Sequence, residues 1–430
     1  MGDWDYLPVA PGERLLVVDD SVAVGRLVQT TFADPTGTPI DHALSLADCR
    51  RLLAEHPGVY PVAVVDLNLP DAPDGEAVDL VLSHGVATVV LTAAADEALH
   101  ARISAKPIVD YVVKQNPGSI ETVHRDVRRV LRNRGRKVLL VGDSAAFLRR
   151  TRQLMETQRL QILEAGDGPS ALMTLERNLD VALVATDYEL PAMDGIALTA
   201  ALRARFSAAA MSIIGLWETE DTFVGVRFLK AGASDIVRKP FLVEEFLGRV
   251  NNCLDQLDNI RMIQEQANRD YLTRLHNRRY LFEAGSLLFN STRRGHIRLT
   301  AAIIDIDHFK RINDSFGHDA GDLAIKTVAS LLSGAFRATD VVARIGGEEF
   351  CVLATNADPP EEMFERLRQR IAALDIALRQ DEPTRLTVSI GVVCGAGADS
   401  LDDLIKAADR ALYEAKQGGR NRVVVKTSVD

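Results

Sequence analysis

Two stretches of the chain repeat one pattern of apolar and polar positions. The first runs through LLVVDDS (15–21), AVVDLNLP (63–70), VVLTA (89–93) and YVVK (111–114). The second runs through VLLVGDS (138–144), ALVATDYELP (182–191), SIIGLWE (212–218) and DIVRKP (235–240). Short apolar runs bounded by acidic or turn residues read as buried parallel strands, and the stretches between them carry helical periodicity. Each segment, about 120 residues long, is predicted to fold as a doubly wound α/β domain with its chemistry beyond the carboxyl ends of its strands. Asp20, Asp66, Thr92 and Lys114 fall at such ends, as do Asp143, Asp187 and Lys239.

The basic stretch VRRVLRNRGRK (127–137) bridges the two segments. A helical pattern then continues from Leu242 to Ala267, with Phe246, Val250, Cys253, Leu257 and Ile260 spaced by four and three. That spacing fits either a short coiled-coil seam or the last helix of the second domain packing on its own sheet. A third pattern starts at Asp270. RLTAAIIDID (298–307) reads as a strand, HFKRINDSFGH as a helix and its turn, and DLAIKTVASLLSGAF as an amphipathic helix. VVARIGGEEFCVLA (341–354) reads as a β-hairpin bent at Gly346-Gly347. A charged helix (361–380), a strand (385–393), a helix (401–417) and a closing strand RVVVK follow. The expected domains are 1–134, 135–258, a helical linker 259–269, and an α/β domain with an antiparallel hairpin over 270–430.

The 430-residue length agrees with about three domains. Four dispersed cysteines form no metal or disulfide spacing and suit reduced cytoplasmic thiols. The N-terminus lacks the charge and apolar run of a signal peptide, and no apolar stretch has bilayer-spanning length. A formal net charge of −10 argues against nucleic acid or anionic membrane as a general partner. The expectation is a cytoplasmic protein with no nucleic-acid partner and no membrane insertion.

The third domain carries candidate chemistry. Asp305 ends a strand and Glu348 sits on the hairpin bend. Two carboxylates converging from separate strand ends, with oxygen ligands only, suit magnesium rather than zinc. The paired glycines Gly346 and Gly347 remove side chains where a base or ribose approaches the backbone. Lys310, Lys416 and Arg420 supply cations for phosphates, the last two from one helix face. Asn313 and Asp322 together match the donor and acceptor edge of guanine. Singly, each signal has an ordinary structural explanation; their ordered combination does not.

DYLTRLHNRR (270–279), IDIDHFKRIND (304–314), FGHDAGD (316–322), RIGGEEF (344–350) and YEAKQGGRN (413–421) resemble, in order, the motifs of the GGDEF domain of diguanylate cyclases. The resemblance implies that two GTP molecules condense to cyclic di-GMP with release of two pyrophosphates. It implies metal ligation by Asp305, Glu348 and the Ile306 carbonyl, with magnesium, or manganese in its place, as cofactor. Guanine contacts from Asn313 and Asp322, a substrate contact from Phe309, and phosphate contacts from Lys310, Lys416 and Arg420 follow from it too. Glu349 falls in the catalytic signature beside Glu348 and Lys310. Arg274 stands where the family usually has glycine. Arg337 and Asp340, just upstream of the hairpin, resemble the family's product-inhibition site, with Arg368, or Arg366 next to it, as the completing arginine. A symmetric product from two identical halves requires a homodimer.

Asp19, Asp20 and Asp66 are expected to gather at one end of the first sheet, binding magnesium with Asp66 as phosphoacceptor. Thr92 and Lys114 would support the phosphoryl group. This set resembles response-regulator receivers, although the DAPDG loop carries an extra residue and Gln115 replaces a proline. It implies a histidine kinase or phosphotransfer protein as partner. In the second segment Gly142 stands where the first acid belongs, and Trp217 lies 22 residues before Lys239, as Thr92 does before Lys114. That segment is expected to be a degenerate receiver, a dimerisation adaptor. The layout resembles PleD-type response regulators. A silent cyclic di-GMP sensor and a phosphotransfer scaffold are the alternatives; intact Asp305, Glu348 and Lys310 favour the enzyme.

Overall fold

In a computed structural model, the apolar runs become strands because every position of Leu15–Val18 and Val62–Val65 is buried, leaving no solvated face. The structure describes residues 9–32, 38–93, 102–103, 105–114, 118–221, 223–293, 297–357, 359–379, 382–395 and 398–427. The chain divides into two compact units between Met262 and Ile263.

The first unit holds two sheets. Strands β1 (Leu15–Val18), β2 (Ile40–Ala43), β3 (Val62–Val65), β4 (Ala87–Thr92) and β5 (Asp110–Val113) form an all-parallel sheet in the order β2-β1-β3-β4-β5. Helices α1 (Val22–Thr31), α2 (Leu46–Glu55), α3 (Glu76–Ser83) and α4 (Gly118–Asn133) cover it. The second sheet repeats the order. It comprises β6 (Lys137–Val141), β7 (Gln161–Ala165), β8 (Val181–Asp187), β9 (Ser212–Trp217) and β10 (Asp235–Arg238), all parallel, arranged β7-β6-β8-β9-β10. Helices α5 (Ala145–Thr157), α6 (Gly168–Arg177), α7 (Gly195–Arg203) and α8 (Phe223–Lys230) accompany it, followed by α9 (Val243–Asn268). Side-chain oxygens of Ser21, Ser45, Ser144 and Asp167 cap α1, α2, α5 and α6, taking up otherwise unpaired N–H groups.

The alternative readings of α9 are decided by burial. Phe246, Val250, Cys253 and Leu257, at most 2% exposed, pack with Val138, Leu140, Ile214 and Leu216 of the second sheet. Burying side chains of this kind contributes about 1.5–3 kcal/mol each, so this face closes the second domain rather than forming a free seam. The basic stretch is likewise structural. Val127, Val130 and Leu131 are buried in the first domain's core, Arg129 pairs with Asp255 at 2.6 Å, and Arg136 pairs with Asp258 at 2.5 Å.

A cleft of about 1150 Å³ runs along this seam, with Asp110, Asp126, Arg129 and Asp255 in its wall. Burial pushes the Asp126 carboxyl up to about 7; the neighbouring Asp110 carboxylate adds to the rise, while Arg129 and Arg125 oppose it. The folded value lies above the ordinary 3.8, so the folded state holds an extra proton between these values and stability falls as pH rises through the window. Asp126→Asn supplies the neutral form permanently. Its stability advantage over the parent in urea should grow by about 1–3 kcal/mol as pH rises from about 4 to about 7, and level off above. A difference independent of pH would remove the proton from this junction.

The second unit is built on a six-stranded mixed sheet, β11-β13-β14-β12-β17-β18. Its strands are β11 (His276–Asn277), β12 (Leu299–Ile306), β13 (Val341–Gly346), β14 (Glu349–Thr355), β17 (Val388–Cys394) and β18 (Val423–Lys426); β15 (Asp375–Arg379) and β16 (Glu382–Arg385) form a separate hairpin. The helices are α10 (Arg278–Arg293), α11 (Phe309–Phe316), α12 (His318–Ala335), α13 (Pro360–Ala372) and α14 (Leu401–Gln417). Two expectations shift. The charged helix expected over 361–380 ends at Ala372, because residues 375–379 pair with 382–385 instead. The hairpin bend comprises Gly347 and Glu348, since Gly346 already pairs with Glu349. Central β12 is buried at every position and antiparallel to both neighbours. A Cβ at Gly391 of β17 would lie 2.1 Å from Leu412 N, so glycine lets α14 pack backbone to backbone on the sheet.

Candidate active site

The site in the second unit forms where β12 meets the β13–β14 hairpin. Asp305 lies opposite Glu349 in the ladder, and the Ile306 N–H donates to the Glu348 carbonyl at 3.4 Å. Strand pairing thus brings Asp305, Ile306, Glu348 and Glu349 together from two strand ends. Asp305 is 5% exposed, and burial pushes its carboxyl up to about 6; the Glu348 and Glu349 charges raise it further, while Lys416, paired at 2.8 Å, opposes them. Asp305 thus carries two further acidic charges and one ammonium in its surroundings, and with the nearby Ile306 carbonyl its oxygen donors suit a hard divalent cation. Lys416 extends from the last turn of α14, which Gly391 holds against the sheet.

The hairpin tip is held from below. Arg344 donates to the Gly347 carbonyl at 2.7 and 3.0 Å and pairs with Asp270 at 3.0 Å. Asp270 also accepts from the Thr273 N–H at 3.0 Å and hydroxyl at 2.8 Å. The same segment explains the usual glycine at position 274, for Arg274 stands at φ 61° in the left-handed region.

On the other flank, α11 and α12 meet at Gly317. A Cβ at Gly321 would lie 1.9 Å from Asn313 Oδ1 and 3.1 Å from Phe309 Cζ. Glycine therefore seats the Asn313 amide and the Phe309 ring against the backbone beside Asp322. Asp322 and Lys310 are exposed, and Lys310 belongs to the first turn of α11. Arg420 is exposed in the corner after α14.

Arg337 is exposed beyond α12, and Asp340 stands three residues on. The Asp340 carboxylate accepts from the Arg337 N–H at 3.0 Å, the Thr355 N–H at 2.9 Å and the Thr355 hydroxyl at 3.0 Å. Arg368 points elsewhere. It grips Glu365 at 2.9 and 2.6 Å and donates to Asn421 Oδ1 at 2.6 Å. Arg366, two residues earlier, lies on the opposite flank of α13 and is exposed. The two arginines thus lie on different faces of α13.

In the first unit, Asp19, Asp20 and Asp66 bring carboxylate oxygens within 4.8 Å of one another at the carboxyl ends of β1 and β3. Lys114 follows β5 and donates to Asp19 at 2.7 Å and to Asp66 at 2.5 Å. Burial would drive its ammonium down, but the two carboxylates outweigh it and hold Lys114 above the ordinary lysine range. Thr92, fully buried, ends β4. The extra loop residue is absorbed by a turn in which Leu69 bridges to Ala72, and Asp71 caps α2 through the Leu46 and Ala47 N–H groups at 2.9 and 3.1 Å. Gln115 lies outside the described residues.

The second sheet keeps Asp187 and Lys239, paired at 2.6 Å. The Lys239 ammonium also sits 4.7 Å from the Phe147 ring centroid. Trp217 fills the hydroxyl position at the end of β9 and packs with Val224 and Phe228, 8% exposed.

The diguanylate cyclase GGDEF-domain model matches residues 267–422, which contain this whole second-unit site. The response regulator receiver-domain model matches residues 138–251, the second parallel sheet. A crystal structure described as that of a two-component system response regulator/GGDEF domain protein is 36% identical, with a TM-score of 0.53. The match covers 57% of this chain and 99% of that one. The chain belongs to the GGDEF response-regulator family. Response regulator PleD of Caulobacter vibrioides is 31% identical over 305 residues, 68% of this chain and 66% of PleD. Diguanylate cyclase DgcP of Pseudomonas aeruginosa is 42% identical over 164 residues, 38% of this chain and 24% of DgcP. The chain thus spans less than two thirds of either curated relative. The first parallel sheet, upstream of the receiver-domain match, has the same strand order as the second and a fuller acid set at its strand ends. No described helix is long and apolar enough to cross a membrane.

Sequence reasoning missed three supporting groups: Asp270, Arg344 and Asp307. Asp307 is 5% exposed and accepts hydroxyls of Thr387 and Ser389 at 2.7 Å each. The second acid of IDID was its only signal, overshadowed by Asp305.

Proposed function

We propose that the protein is a diguanylate cyclase switched by phosphorylation of its first receiver and restrained by its own product. The observation carrying this reading is the convergence of Asp305, Glu348 and Glu349 beside Lys416. Asp305, Glu348 and the Ile306 carbonyl would hold magnesium, or manganese in its place. When bound, the metal would polarise the phosphoryl oxygens and ease loss of the 3′-hydroxyl proton. Asn313 and Asp322 orient the guanine edge over the Phe309 flank. Gly346 and Gly347 keep the hairpin bare beside the nucleotide. Lys310, Lys416 and Arg420 neutralise the phosphates, and Glu349 borders the attacking hydroxyl. Each domain holds one GTP, so the 3′-oxygen of one attacks the α-phosphorus of another in a facing copy, expelling pyrophosphate. Two such attacks close the ring, which makes the working species a homodimer.

Incubating the protein with GTP and magnesium and chromatographing the products tests this directly. The expected outcome is cyclic di-GMP with two pyrophosphates per ring. Binding of cyclic di-GMP without GTP turnover would instead support the silent sensor.

Feedback is read at Arg337 and Asp340, completed by Arg366 rather than Arg368, whose guanidinium is engaged by Glu365 and Asn421. Losing a charged group that hydrogen-bonds a ligand costs about 1.5–3 kcal/mol. Arg337→Ala should therefore raise the product inhibition constant roughly ten- to a hundredfold, with synthesis continuing past product levels that arrest the parent. An unchanged inhibition constant would leave Arg337 as surface charge.

Upstream, Asp66 is the phosphoacceptor, served by a histidine kinase or phosphotransfer protein. Asp19 and Asp20 would hold the metal, with Thr92 and Lys114 supporting the phosphoryl group. The second receiver acts as a dimerisation adaptor. Receiver pairing would raise the effective concentration of the two cyclase domains.

A further inference from the structure

The corner after α14 turns through two consecutive left-handed residues, Arg420 at φ 63° and Asn421 at φ 45°. Neither is glycine, so the corner persists only where its surroundings hold it. The Arg420 N–H closes the helix end on the Ala415 carbonyl at 3.1 Å. The Asn421 N–H donates to the buried Asp307 carboxylate at 3.0 Å. From the other side, Arg368 Nη1 donates to Asn421 Oδ1 at 2.6 Å, and Glu365 fixes that guanidinium by two further bonds.

We propose that Asp307 and Arg368 are positioning residues for the nucleotide, gripping Asn421 from both sides so that the corner presents Arg420 to the phosphates. Asp307 stands two residues beyond Asp305 on the same strand end. The candidate metal ligand and the phosphate-binding corner are therefore anchored to one segment of backbone. A planar guanidinium suits the second grip because it binds Glu365 with one edge while its remaining N–H reaches Asn421. The inference rests on the reading of Arg420 as a phosphate contact.

Steady-state kinetics with GTP and magnesium tests it in the full chain. Arg368→Ala should raise KM about tenfold with a smaller change in kcat, and should add nothing in an Arg420→Ala background. Asn421→Gly deletes the acceptor for Arg368 while relieving the left-handed conformation. It should therefore fold at least as well as the parent and show the same rise in KM. Arg368→Lys, which reaches the amide oxygen with one ammonium, should restore part of the loss. Equal increases in KM with and without Arg420 would overturn the inference by making Arg368 a general packing residue. So would an Arg368→Ala variant altered only in product inhibition, or an Asn421→Gly variant with parental KM. If Arg420→Ala alone leaves KM unchanged, the phosphate contact itself fails and this inference falls with it.

Discussion

Glu348→Gln should lower GTP turnover by about 10²–10³-fold or more, the scale on which a single electrostatic group at a reacting phosphorus or carbon is felt. The substitution keeps the volume of the side chain and removes its charge. Glu348 occupies a two-residue turn and is only half-buried, so little packing depends on it. The turn's backbone remains held by Arg344 on the Gly347 carbonyl. Thermal melting of the variant should therefore match the parent while pyrophosphate release collapses. Near-parental turnover would withdraw Glu348 from the metal site and shift the weight of catalysis to Asp305 and Glu349.

A second large effect separates the two receivers. With a small phosphodonor or beryllofluoride, Asp66→Asn should abolish both labelling and any shift towards dimer, whereas Asp187→Asn should leave both largely intact. Asp66 has two acidic neighbours within 4.8 Å, an ammonium at 2.5 Å and the Thr92 hydroxyl on the adjoining strand. Phosphorylation there adds charge and acceptor oxygens that can bias a neighbouring surface. Asp187 has Lys239 but faces Gly142 in place of an acid and an indole in place of a hydroxyl. Mass spectrometry of the labelled protein and light scattering read the two outcomes. Labelling that survives in Asp66→Asn and vanishes in Asp187→Asn would reverse the assignment.

The strands were legible because their burial is two-sided and leaves uninterrupted apolar runs; Leu15–Val18 and Leu299–Ile306 needed no context. The acidic strand ends were legible for a related reason, since a charge abruptly ending such a run marks where a strand meets solvent or a ligand. Distance along the chain hid the rest. Asp270 and Arg344 are 74 positions apart, Asp307 and Asn421 114 apart, and only the fold makes them partners. That Arg368, and not Arg366, faces Asn421 is likewise a matter of which flank of one helix each occupies. The hairpin bend moved by one residue because Gly346 pairs with Glu349 instead of turning, a register effect that composition does not carry.

Trp217 gives the protein a built-in optical reporter. Its indole is 8% exposed, packs on Phe228 and meets no hydrogen-bond acceptor among the described residues. A ring so placed emits at short wavelength while the second receiver stays closed around it, and shifts red when water reaches it. The sequence has two tryptophans, and the other, Trp4, lies outside the described residues. Trp4→Phe thus leaves a single tryptophan, excited selectively over the tyrosines, between Asp187 and α8. The position equivalent to Thr92 thus reads any opening of the second receiver by fluorescence, without an added dye.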